Sequence, residues 1–174
     1  MGRRVYAISL TQPWASLTAN ALREFETRSY APGKGRVGTR IVIHAAKKPM
    51  GKRWDGKPLS RVFWDDVQKA FGDSRWSEQL PYGKVIACAT LAGAYQTGQT
   101  YSSSEGVLLA EIKQAVHGSR KLCAIRTDSF GDFHSGRWAW LLTELHPVVP
   151  QCEVDGHHGP WTWEAPDFVL GINE

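Results

Sequence analysis

The residues most suited to chemistry stand in one short segment, Arg23-Glu24-Phe25-Glu26-Thr27-Arg28. In an extended chain the side chains alternate, so Phe25 and Thr27 take one face while Glu24, Glu26 and Arg28 share the other. A carboxylate beside a guanidinium can read a base edge. The carboxylate accepts from an exocyclic amino group such as cytosine N4, and the guanidinium donates to ring nitrogens, carbonyls or phosphate. The bland alternative is a same-face ion pair that ties strands together. Arg23 brings a second guanidinium to this face if the strand begins that early.

Other cations lie downstream. The apolar run Ile41-Val42-Ile43 reads as a buried strand that delivers His44, Lys47 and Lys48 to its end. Lys47, Lys48, Lys52, Arg53 and Lys57 place five positive charges in eleven residues, flanked by Trp54 and Trp64. Such a loop suits phosphates, which position a nucleic acid without reading it, while an exposed indole stacks on any base. Trp14 could form one wall of a base-sized cleft. For metal-free RNA cleavage the candidate general bases are Glu26 and His44, and the candidate cations are Lys47, Arg23 and Arg28. Glu26 and Lys47 are the catalytic candidates; Trp14, Arg23, Glu26, Arg28, His44, Lys47 and Lys48 are the ligand-binding ones. A histidine at the end of an apolar strand is, however, commonly a satisfied structural residue. His157-His158 lacks a third ligand nearby, so no metal site and no cofactor is expected.

The elements that must hold these residues are strands with a few helices among them. Val5 to Leu10 suits a half-buried strand, and Thr11-Gln12-Pro13 reads as a helix start, with Thr11 or Gln12 in the cap region and Pro13 in the first turn. That helix should end near Ala21 or Leu22. Ser60 caps an amphipathic helix reaching Phe71, and Gly83 to Ala94 forms a second long apolar strand. Val107 to Val116 has the spacing of a short helix inside a polar insert at about 96–120. Arg137 to Leu145 is a strand, Pro147 and Pro150 mark an edge, and Trp161-Thr162-Trp163 closes the set. The pattern is α+β: a small closed barrel with two or three flanking helices in one domain of 174 residues.

Composition narrows the functional class. At 42% hydrophobic the chain can bury a core without disulfide staples, and it has no apolar run long enough to span a membrane. Its three cysteines, Cys88, Cys123 and Cys152, fit neither a disulfide framework nor a zinc pattern, which suggests reduced thiols in the cytoplasm. The net charge of +4 mildly favours a polyanionic partner. Eight tryptophans exceed what one small core needs, and some should line a pocket. Trp138, Trp140, Trp161 and Trp163 alternate in pairs, each pair facing one side, and read first as core.

Five segments together resemble the ASCH domains, a family related in fold to the PUA RNA-binding domains. The family signature G-x-K-x-x-E-x-R falls on Ala21 to Arg28, with Glu26 and Arg28 matching and Ala21 and Arg23 replacing glycine and lysine. The others are Ser9-Leu10-Thr11-Gln12-Pro13-Trp14-Ala15, Ile43-His44-Ala45-Ala46-Lys47, Gly136-Arg137-Trp138-Ala139-Trp140 and Gly159-Pro160-Trp161-Thr162-Trp163. The resemblance implies a PUA-like barrel whose signature lines a cleft for RNA, single-stranded nucleic acid or a modified nucleotide. One branch of the family resembles an N4-acetylcytidine amidohydrolase that uses a lysine and a threonine of the signature; here those positions are Arg23 and Glu26, which disfavours that chemistry. A second branch is ribonucleolytic. A protein-interaction module in an RNA-processing or transcription assembly is the alternative outside nucleic-acid chemistry.

Overall fold

The structure, a computed structural model, describes residues 2–48, 58–116 and 119–171, with only the backbone described for 113–116 and 119–122. Among the described residues it is a sheet-rich α+β fold of eight strands and few helices. Two compact units divide the chain. The first comprises Met1–Arg23, Arg40–Thr90 and Thr143–Glu174, and the second Glu24–Thr39 and Leu91–Leu142.

In the first unit, β1 (Arg3–Leu10) runs parallel to β3 (Arg40–Ala45) and antiparallel to β8 (Pro160–Ala165), and β3 pairs antiparallel with the early part of β4 (Lys84–Ser102). These strands are apolar because both faces are covered: Ala7, Ile8, Ile41, Val42, Ile43, Val85, Ala87 and Cys88 are all within 4% of full burial. Helix α1 (Trp14–Ala19) is short. Gln12 takes the capping role, its Oε1 accepting from the Ser16 backbone N–H at 3.2 Å while its Nε2 donates to the Pro81 carbonyl at 2.8 Å. The chain leaves α1 through Ala21, whose φ of +54° lies in the left-handed region that favours glycine. Ala21→Gly should relieve about 1–2 kcal/mol of steric cost against about 0.5–1 kcal/mol of added chain entropy. The melting temperature should therefore rise by roughly 2–4 °C; a fall would mean that the alanine is not strained.

Helix α2 (Arg61–Phe71) begins where expected. Ser60 accepts from the Phe63 N–H at 3.2 Å, and Gly72 ends the helix at φ +71°. Phe63 and Val67 face inward, whereas Val62 stays 69% exposed.

In the second unit, β2 (Phe25–Arg28) pairs antiparallel with the start of β7 (Trp138–Glu153), and the later part of β4 pairs with β5 (Leu108–Val116), which pairs with β6 (Ser119–Arg126). Phe25, Ala110, Phe133 and Ala139 form its core, with Tyr95, Ile125 and Leu141 packed against them.

Several expectations require correction. Residues 108–116 form a strand, because hairpin pairing with β4 and β6 overrides a spacing that also fits a helix. Strand β2 starts at Phe25, so Arg23 precedes it, and alternation would in any case set it with Phe25 and Thr27 rather than on the face of Glu26 and Arg28. Strand β7 continues through Pro147 and Pro150 to Glu153. The barrel does not close. The hydrogen-bonded path runs β2-β7-β4-β3-β1-β8, and among the described residues its two end strands do not pair with each other. Four residues in β2, and a β8 that opens on Pro160, leave little edge for closure.

Candidate functional site

The second unit holds the charged pair. Arg28 Nε lies 2.8 Å from Glu26 Oε1, with side-chain exposures of 19% and 8%. The β2–β7 register sets Glu26 opposite Trp140 and Arg28 opposite Trp138. Directly paired residues of an antiparallel ladder project to the same side. One face therefore carries Glu26, Arg28, Trp138 and Trp140, and the other carries Phe25, Thr27, Ala139 and Leu141. The second set is the core side. Trp140 is fully buried, its Nε1–H donating to the Tyr30 carbonyl at 3.2 Å and its ring meeting Tyr30 edge-on. Trp138 is half-buried, and its indole takes no ring or hydrogen-bond partner among the described residues. An acid–base pair beside a partly exposed indole can both hydrogen-bond a base edge and stack on it.

The core side of β2 anchors a loop. Thr27 Oγ1 accepts from the Asp132 N–H at 2.9 Å, and Asp132 in turn meets His134 and Arg137. Burial acts upward on the Asp132 carboxyl, but the bonds from His134 outweigh it and hold the group below its ordinary range.

The first unit holds the other candidates. Trp14 packs on Phe63 with ring centroids 5.3 Å apart. Arg23 is 4% exposed. Lys48 is exposed, and so is Lys47, which pairs with Asp155. The remaining cations of the basic stretch, Lys52, Arg53 and Lys57, and with them Trp54, lie outside the described residues.

His44 is 1% exposed and both ring nitrogens are occupied. Nε2 lies 3.0 Å from the Val154 carbonyl, which can only accept, so Nε2 carries the proton. In the neutral ring Nδ1 is then an acceptor, and the Ser9 hydroxyl donates to it at 3.1 Å. Trp161 Nε1–H donates to Ser9 Oγ at 3.1 Å, and its ring meets His44 edge-on. Three strands, β1, β3 and β8, thus converge at Ser9, His44 and Trp161. The meeting is a consequence of register, because Ser9 pairs with His44 and Ala7 with Trp161. Gly156 closes over this group: a Cβ placed on it would lie 2.7 Å from Ser9 Oγ and closer still to the His44 ring. Gly156 is not marked out by sequence, and Ser9 is marked only as the first residue of a longer segment, not as a partner of His44. A serine in a strand and a glycine in a loop carry no signal until the pairing is known.

Burial pushes the His44 imidazole below its usual 6.5, against the upward pull of the Val154 carbonyl. The unfolded chain therefore takes up a proton at a pH where the folded one does not. The stability that neutral His44 contributes is complete above about pH 6.5 and is lost as the pH falls below that value toward the folded one. In an NMR titration the His44 ring should titrate below 6.5 while the melting temperature declines over the same window. A ring titrating above 6.5 would contradict the burial argument.

No known family model matches the chain, and no curated protein matches it. No described helix is long and apolar enough to cross a membrane.

Proposed function

We propose that this chain is an ASCH-type, PUA-related domain that binds single-stranded nucleic acid, RNA in the first instance, or a modified nucleotide. The base lies on the Glu26–Arg28–Trp138 face of the second unit. One observation carries the reading: a nearly buried carboxylate–guanidinium pair shares a strand face with a partly exposed indole. A buried ion pair contributes little net stability, since its desolvation offsets much of its attraction, and recognition is the role its chemistry suits. Glu26 accepts from an exocyclic amino group, Arg28 donates to a ring nitrogen, carbonyl or phosphate, and Trp138 stacks. In the first unit, Lys47 and Lys48 supply cations for phosphates.

The test uses the purified protein with short single-stranded RNA, the matching DNA, duplexes and a panel of cytidine derivatives, at low and moderate salt, with products resolved by mass spectrometry. The expected result is salt-sensitive binding with every oligonucleotide recovered intact. Cleavage, or loss of a base substituent, would move the assignment to a hydrolase at the same face.

A further inference from the structure

We infer that Asp155 is a built-in competitor of phosphate, a carboxylate seated on Lys47 so that nucleic acid must displace it to use that lysine. The inference rests on the nucleic-acid reading above. Lys47 Nζ donates to Asp155 Oδ1 at 2.7 Å, with side-chain exposures of 71% and 89%. An ion pair so open to water ordinarily has little effect, because two flexible side chains must be held together against solvent. Here both partners are held.

The stem of Lys47 lies across Gly83, where a Cβ would come within 2.8 Å of Lys47 Cε and 2.9 Å of its Cγ. Only glycine lets the stem take that path. On the other side, both neighbours of Asp155 are fixed. The Val154 N–H donates to the Gly83 carbonyl at 3.1 Å, and the Val154 carbonyl accepts from His44. Gly156 is packed on His44 and Ser9. The backbone thus presents the Asp155 carboxylate to the ammonium rather than leaving it to wander.

A second pair repeats the arrangement. Lys84 Nζ lies 3.5 Å from Glu153 Oε1, so Glu153-Val154-Asp155 lays two carboxylates against two lysines of the same unit. The mutual bond holds Lys47 above its usual range and Asp155 below its own, so the pair stays charged throughout the physiological range. A carboxylate in this position offers the ammonium what a phosphate oxygen would offer. Lys47 then contributes to nucleic-acid binding only to the extent that a phosphate outcompetes Asp155.

The experiment measures anisotropy of a fluorescein-labelled 12-nucleotide single-stranded RNA with the full chain at several salt concentrations. The proteins compared are wild type, Asp155→Asn, Lys47→Ala, and the double variant. Asp155→Asn should bind about threefold to fivefold more tightly, the size of effect one exposed charge interaction supports. Its salt slope should steepen by about 0.7, the increment for one further phosphate contact on a single strand. In the Lys47→Ala background the same substitution should change nothing.

An unchanged affinity for Asp155→Asn overturns the inference and leaves the nucleic-acid reading intact. So does an equal gain with and without Lys47, which would make the effect one of net charge alone. No binding by any of the four proteins overturns both. Asp155 is a surface residue, and melting curves that coincide with wild type would exclude misfolding as the origin of any difference.

Discussion

Gly156→Ala should lower the melting temperature by roughly 5–10 °C. The added Cβ would fall closer to the His44 ring than real Cβ atoms approach anything, and 2.7 Å from Ser9 Oγ. Neither neighbour can move away cheaply. The ring is buried, both its nitrogens are bonded, and Trp161 stands edge-on against it. Overpacking of this kind costs about 1–3 kcal/mol, and the loss of either hydrogen bond would put the change at the upper end. Gly33→Ala is the control. Its Cβ would meet only Arg36 Cγ at 3.6 Å, an ordinary contact, and its melting curve should match wild type. A Gly156→Ala protein as stable as wild type would show that the segment is not seated on His44.

Arg28→Ala and Trp138→Ala should each reduce affinity for single-stranded RNA by about tenfold to a hundredfold. A hydrogen bond to a charged group contributes about 1.5–3 kcal/mol, and stacking of one base about 1–3 kcal/mol. Glu26→Gln should weaken binding as well, since it removes the negative acceptor and leaves the Arg28 guanidinium without its charged neighbour. The three substitutions part company in stability. Trp138 is partly exposed and its loss removes packing without stranding a charge, whereas the Glu26 and Arg28 variants lose a largely desolvated partner and should soften the fold more. If Glu26→Gln and Arg28→Ala melt the protein while Trp138→Ala binds as wild type, the pair is a structural tie.

Local structure is legible in the sequence where one interaction decides the outcome. Ile41-Val42-Ile43 is buried on both faces and forms a strand as its composition requires. Ser60 is a cap because its hydroxyl can reach the Phe63 N–H three residues on. Alternation alone put Glu26 and Arg28 on one face, and the ion pair between them follows. What stayed hidden depends on partners distant in the chain. Leu108, Leu109, Ile112, Ala115 and Val116 fit a helical stripe, and only pairing with β4 and β6 makes the segment a strand. Trp138 becomes a neighbour of Arg28 through a register that spans 110 residues. Asp155 reaches Lys47 across a separation of 108. The closed barrel expected from the count of strands fails for a related reason, since closure depends on which edges meet and strand patterns do not encode that.

The most direct test of the proposed function is a titration of labelled single-stranded RNA with wild-type protein and with Trp138→Ala, at a temperature where melting curves show both proteins folded. Saturable, salt-dependent binding by the wild type that weakens at least tenfold in Trp138→Ala is the predicted result. Absence of binding by the wild type at low salt, or equal affinity in the two proteins, would contradict it.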